Sequence, residues 1–124
     1  MISNLLLVGI GGFLGSALRF LISMMINRQF TTHFPFGTFT VNIVGSLLIG
    51  ILYGLWAREF LDDHASRIWI TGFCGGFTTF STFSYDGLTL ISHGQYLTFL
   101  LYAVGSVSIC LLAVYAGMVL VKFQ

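Results

Sequence analysis

Charge is what this chain has least of. Its 124 residues include one lysine, Lys122, four arginines and four acids, so that 7% carry charge, where a soluble domain carries about a quarter. With a mean hydropathy of +0.95, that scarcity excludes a soluble globule. Nucleic acid falls away as a partner as well, because neutralising phosphates takes clustered Lys and Arg and the net charge is only +1. Proline occurs once, as Pro35, and both cysteines, Cys74 and Cys110, lie inside apolar stretches. A thiol in such a place ordinarily serves as a small buried hydrophobe, and no disulfide is expected. The opening residues, MISNLLLVGIGG, lack the basic region and small-residue cleavage site of a secretory signal and are expected to begin a mature first helix.

Catalytic constellations are missing too. The run GIGGFLG departs from a dinucleotide-binding fingerprint because Leu14 stands where the last glycine belongs, and no strand–helix–strand pattern surrounds it. His33, His64 and His93 lie singly in loops, without the spacing that gathers metal ligands. No histidine inside an apolar stretch accompanies a serine as base, and no pair of intramembrane carboxylates divides acid and base roles. An enzyme is not expected.

What the chain does have is length of apolar sequence. A transmembrane helix needs roughly 20 mostly apolar residues, and four such stretches run about Leu5 to Ile26, Phe39 to Ala57, Ile68 to Ile91 and Leu97 to Val121. The expected fold is an all-α, four-helix transmembrane domain occupying residues 1–124. An even helix count puts both termini on one side with Arg58, Arg67 and Lys122, against Arg28 and, if counted, Arg19 on the other. Loop Lys and Arg set orientation. So slight a bias fits insertion in both orientations, and it equally fits a single topology set by three against one.

Small residues recur four apart in Gly11/Gly15, Gly12/Ser16, Ser46/Gly50, Gly50/Gly54 and Ala113/Gly117, a spacing that lets helices approach closely where lipid gives no hydrophobic drive for association. Four helices make a thin wall around a pore, so transport would call for an oligomer. Arg19 falls within the first stretch, where a charge is costly and tends to face a bundle or aqueous cavity; it fits an anion attractor or an arginine snorkelling to the helix end. Asn42 brings two donors and an acceptor into the second stretch, as pore lining or as interhelical glue. Asp86 lies within the third stretch, with no loop to account for it.

The densest polarity is in GGFTTFSTFS, residues 75–84. Glycines have poor helix propensity and paired threonines are stiff, so the third helix is expected to break near Gly75–Thr79. Broken backbone at membrane depth is tolerated where protein or a polar cavity satisfies it, and freed carbonyls and amides then become ion ligands. Phe77, Phe80 and Phe83 share one helix side, among Ser81, Thr82 and Ser84. A ring stripe is ordinarily core packing, but phenyl edges are electropositive, and beside hydroxyl donors they suit an anion.

GGFTTFSTFS, with Asn42 in VNIVGS and Arg19 in GGFLGSALRF, resembles the Fluc (CrcB) family of small fluoride channels over the whole chain. The resemblance implies an antiparallel, dual-topology homodimer in a bacterial inner membrane, with two fluoride-selective pores that passively export fluoride. It implies that Phe80 and Phe83 form the family's phenylalanine box, with rings from both subunits, and that Asn42 is the pore-lining asparagine and Arg19 the basic residue near the vestibule. Ser81 and Thr82 resemble the polar track beside the rings, continued by Tyr102 and Ser106. Backbone carbonyls of Gly75 and Thr78 match those that hold a structural sodium ion on the dimer axis, with no organic cofactor. Cys110, one turn beyond Ser106, departs from a family hydroxyl position. Two other classes were weighed against these residues. A proton-coupled four-helix multidrug exporter looks for a carboxylate in its first helix, which here carries Arg19. A non-transporting scaffold leaves Arg19, Asn42 and the hydroxyl run without a use.

Overall fold

In hydrocarbon every backbone polar group has to be satisfied within the protein, which restricts a spanning chain to helices or a closed barrel. The computed structural model describes residues 1–122 and takes the first solution, with no strand among them. Three spans are continuous helices long and apolar enough to cross a membrane: α1 (Ile2–Asn27), α2 (Phe36–Ala57) and α6 (Tyr96–Lys122). At 1.5 Å per residue even the shortest reaches about 33 Å, enough for a hydrocarbon core of about 30 Å. Each runs a few residues past the boundaries expected from hydropathy. The protein is thus a multi-pass membrane protein.

The third span is composite. It opens with a single turn, α3 (Asp63–Ser66), whose cap is the Asp62 carboxylate accepting the Ala65 N–H at 2.7 Å. A wider π-helical stretch, Arg67–Cys74, follows, then α4 (Gly75–Phe77) and, after two non-helical residues, α5 (Phe80–Ser92). Thr78 (φ −84°, ψ 157°) and Thr79 (φ −152°, ψ 123°) are extended. The sequence predicts a break across Gly75–Thr79 from weak glycine propensity and threonine stiffness together. It falls on the threonines alone. Gly75 keeps helical angles, φ −62° and ψ −36°. Thr78 and Thr79 are β-branched and prefer extended backbone.

The glycines serve packing instead. A Cβ on Gly11 would collide with the backbone of Ile68 and Phe73, one on Gly15 with that of Phe73 and Phe77, and one on Gly76 would lie 2.5 Å from the Gly12 carbonyl oxygen. Gly72 answers from the same side, 2.6 Å from the Val8 oxygen. So α1 and the first half of the third span touch backbone to backbone through Gly11/Gly15 and Gly72/Gly76. A second such seam joins α2 to α6, where Gly50 meets Val114, Gly54 meets Val121 and Gly117 meets Leu47 and Ile51. Close approach by small residues is how helices associate in lipid. Between the two seams Val41, Cys74, Phe77 and Tyr102 are fully enclosed, while apolar side chains cover the outside. Both cysteines are free thiols.

Short connections hold the spans in register. Asn27, ending α1, accepts the Gly37 N–H at 2.9 Å near the start of α2. Gly94 turns the chain between α5 and α6 at φ +70°, a conformation that glycine alone adopts without strain.

Candidate functional site

The break is the centre of the polar chemistry. In an unbroken helix the Thr79 N–H would bond to the Gly75 carbonyl and the Thr82 N–H to the Thr78 carbonyl. Both donors are diverted. Thr79 N–H donates to Asn42 Oδ1 at 2.8 Å, and Thr82 N–H to Thr79 Oγ1 at 3.2 Å. Asn42 Nδ2 returns a bond to the Thr79 carbonyl at 3.1 Å, and Arg19 Nε donates to the Gly76 carbonyl at 3.0 Å. Two side chains from the first two helices therefore stand in for the missing helical bonds, while Gly75 and Thr78 are left with carbonyls whose helical donors have gone elsewhere. An unsatisfied group here would cost several kcal/mol, so Asn42 and Arg19 are structurally coupled to the break.

Thr79 is the hub, and residue pattern gave no sign of that. It caps α5, and its hydroxyl also donates to Thr82 Oγ1 at 3.1 Å and lies 3.2 Å from Ser81 Oγ. Ser81 and Thr82, expected beside the rings, thus belong to a hydroxyl cluster at the first turn of α5.

Next to this cluster a cleft of about 310 Å³ opens among Asn42, Ser46, Thr78, Thr79, Phe80, Phe83, Ser106 and Cys110. Its rings are paired, with the Phe80 and Phe83 centroids 5.6 Å apart at 34°. Phe83 is tucked against Tyr102, 5.1 Å between centroids, whereas Phe80 is 79% exposed. On the opposite wall Ser106 is only 5% exposed, and its hydroxyl has no hydrogen-bond partner. A buried orphan hydroxyl is uncommon, and this one belongs to a residue that lines the cleft. Cys110 lines the same wall.

Beyond Phe83 the polar line continues. Tyr102, wholly buried, donates its hydroxyl to Asp86 Oδ2 at 3.2 Å, which accounts for a carboxylate inside the third span. Asp86 in turn borders a separate cavity of about 190 Å³ toward the loop end of α5. Of the residues singled out from sequence, Asn42, Thr78, Phe80, Phe83 and Ser106 line one cleft, and Tyr102 packs against its Phe83 edge. Arg19 lies at the break on the α1 side, and Gly75 presents an open face, with nothing within 4 Å of an added Cβ. Among the described residues no group of three His, Cys, Asp or Glu side chains is placed to hold a metal.

The sequence has known relatives. The sequence model of the family described as CrcB-like protein, Camphor Resistance (CrcB), matches residues 6–118. A protein of Phocaeicola vulgatus, named fluoride-specific ion channel FluC, is 47% identical over 114 residues, covering 92% of this chain and 94% of the relative. Relatives with that name from Campylobacter jejuni, 42% identical over 98% of this chain and 100% of their own, and from Rhizobium meliloti, 43% identical over 97% of each, match to the same extent. With the family model matching residues 6–118 and relatives of 40% identity or more over nearly the whole chain, the chain belongs to the CrcB family.

Proposed function

We propose that this protein is a fluoride-selective channel that lets cytoplasmic fluoride leave the cell by passive electrodiffusion. The observation that carries the reading is the cleft, whose lining brings together Ser106 with its unpartnered hydroxyl, the paired phenyl rings and Asn42. Fluoride is small and strongly hydrated, so a path for it has to replace water with donors that do not surrender a proton. Hydroxyl and carboxamide N–H groups donate conventionally, and ring edges add weak positive potential. Phe80 and Phe83 form the aromatic side of the path, Ser106 and Tyr102 its hydroxyl side, and Asn42, already spending one N–H on Thr79, keeps a second for the ion. Arg19, at the break, supplies the positive charge that draws an anion to this depth, with Ser81 and Thr82 as neighbouring donors. Relatives bearing the fluoride-channel name over nearly the whole chain support the reading.

The working unit is an antiparallel homodimer in the bacterial inner membrane, with two pores. The near-balanced loop charges support dual insertion. Exposure of Phe80 leaves the ring side of the cleft uncovered in one chain, where a second copy can close it. A sodium ion fits the break. Gly75 and Thr78 have carbonyls whose helical donors are diverted, on a face left open at Gly75, and hard oxygen ligands of this kind suit a monovalent cation. One chain offers two such oxygens, and a second copy would complete four. Bound there, the ion supplies fixed positive charge and ties the two breaks together.

The test is efflux from liposomes under a clamped potential, fluoride against chloride. Fluoride efflux with chloride retained, and no dependence on a proton gradient, is expected. Absence of flux would leave a scaffold, and strict proton coupling an exporter.

A further inference from the structure

The cavity bordered by Asp86 is not part of the cleft, and its lining is unusual for this chain. Two of the three histidines, His33 from the loop after α1 and His93 from the end of α5, face it together with Asp86, Tyr85 and Thr89. His93 is held in place, its Nδ1–H donating to the Thr89 carbonyl at 2.8 Å, which leaves Nε2 free to take a proton. Asp86 is the only residue that belongs to both this cavity and the polar line, through its bond to Tyr102. The Tyr102–Asp86 bond thus ties this cavity to the ring end of the cleft.

We propose that this cavity is an antechamber for small monovalent anions whose charge, and so its hold on the ion, is set by protonation of His33 and His93. The proposal rests on the fluoride-channel reading for its route but not for its binding. The titratable groups facing the cavity are His33 from the first loop and Tyr85, Asp86 and His93 from α5 and its end; α2 contributes Pro35, and α6 acts only through Tyr102 on Asp86. Imidazole is the side chain whose ordinary charge change falls between pH 5 and 8. With both rings neutral, the Asp86 carboxylate is the one charge left to the cavity and repels an anion. With both protonated the sum becomes +1, and a concave site focuses such a field. At the other end of the polar line Arg19 is positive at every pH, so the two ends differ in kind. One attracts always, and the other attracts only under acid.

The sign follows directly: acidification should favour anion entry and passage. Fluoride efflux from proteoliposomes at low ionic strength, with protein-free liposomes subtracted for leakage of the neutral acid, should rise on the order of threefold between about pH 7.5 and pH 5.5. Raising the salt should shrink that rise. In His33→Gln/His93→Gln the ratio of the two rates should fall to about one, and in His33→Lys/His93→Lys it should also be about one. The lysine variant should in addition be as fast as the acidified wild type at both pH values. A flat wild-type profile, or a profile kept by the glutamine variant, overturns the proposal. A second measurement does not depend on conduction. By reciprocal linkage, fluoride bound beside the imidazoles should shift their titration midpoints upward, read by NMR of labelled histidine in the folded protein with fluoride or gluconate at matched ionic strength. Midpoints indifferent to fluoride overturn the antechamber even if the pore conducts. Shifted midpoints without any flux uphold it and sink the channel instead.

Discussion

The carboxamide of Asn42 meets the peptide of Thr79 on both edges, accepting its N–H at 2.8 Å and donating to its carbonyl at 3.1 Å. One side chain thereby substitutes for the helix that the third span gives up, and it does so from 37 residues away. Removing it should matter twice. Asn42→Ala leaves a buried N–H and a carbonyl unpaired, and should destabilise the fold by about 2 kcal/mol or more as well as slow fluoride flux. Asn42→Asp keeps the acceptor for Thr79 N–H and should retain more stability than flux. Unfolding in detergent beside liposome efflux separates the two, and equal losses in both variants would make Asn42 glue alone.

Rings and flux are linked through shape and edge. Phe80→Ile or Phe83→Ile keeps a bulky apolar side chain but removes the electropositive edge, and each should lower fluoride efflux by roughly fivefold, given about 1 kcal/mol per ring contact, in protein that still elutes as the wild type does. Wild-type rates in either folded variant would reduce the pair to packing.

The two neighbouring glycines of the third span should answer differently to substitution. Gly76→Val drives a side chain into the Gly12 backbone and should prevent folding. Gly75→Val meets nothing in one chain, so secondary structure should survive. If that face meets a second copy around a sodium ion, however, the dimer and the flux should be lost, and exchange of sodium for a large organic cation should slow the wild type. Cross-linking and efflux read both, and an active, dimeric Gly75→Val would remove the ion site.

Topology is open to a direct check. A reporter fused after the last helix should be found on both sides of the inner membrane, and two or three lysines added to one loop should confine it to one side. One-sided reporting by the unaltered chain would rule out the antiparallel pair.

Much of this was legible in the residues. Hydropathy marked the four spans, because lipid imposes a length that water does not. Small residues four apart marked the seams, since backbone contact admits little else. Asn42 stands out as a polar group in a costly place and Phe80 and Phe83 as a ring stripe among hydroxyls, while Ser106 is marked only by the family resemblance; all four share one cleft. The break is narrower than the sequence predicts: the threonine stiffness is expressed at Thr78 and Thr79, whereas Gly75 and Gly76, of weak helix propensity, stay helical with the α1 backbone pressed against Gly76. Partners were the harder part. That Arg19 spends its Nε on Gly76, and that Asp86 answers Tyr102, depends on how helices cross, and local pattern carries no trace of it. The Gly72/Gly76 pair is the less conspicuous because Gly76 belongs to the hydroxyl-rich run and Gly72 lies just ahead of it.

The divided third span also bears on how the chain enters a membrane. Its later piece, α5, has 13 residues, about 20 Å of helix, too short to cross alone, and the threonine break ahead of it would reach lipid with bare peptide groups. Both side chains that cover those groups, Arg19 and Asn42, are made earlier, on α1 and α2. Synthesis from the N-terminus thus delivers the chaperoning groups before the segment that needs them. A chain permuted so that the third span emerges first would meet the translocon without that cover.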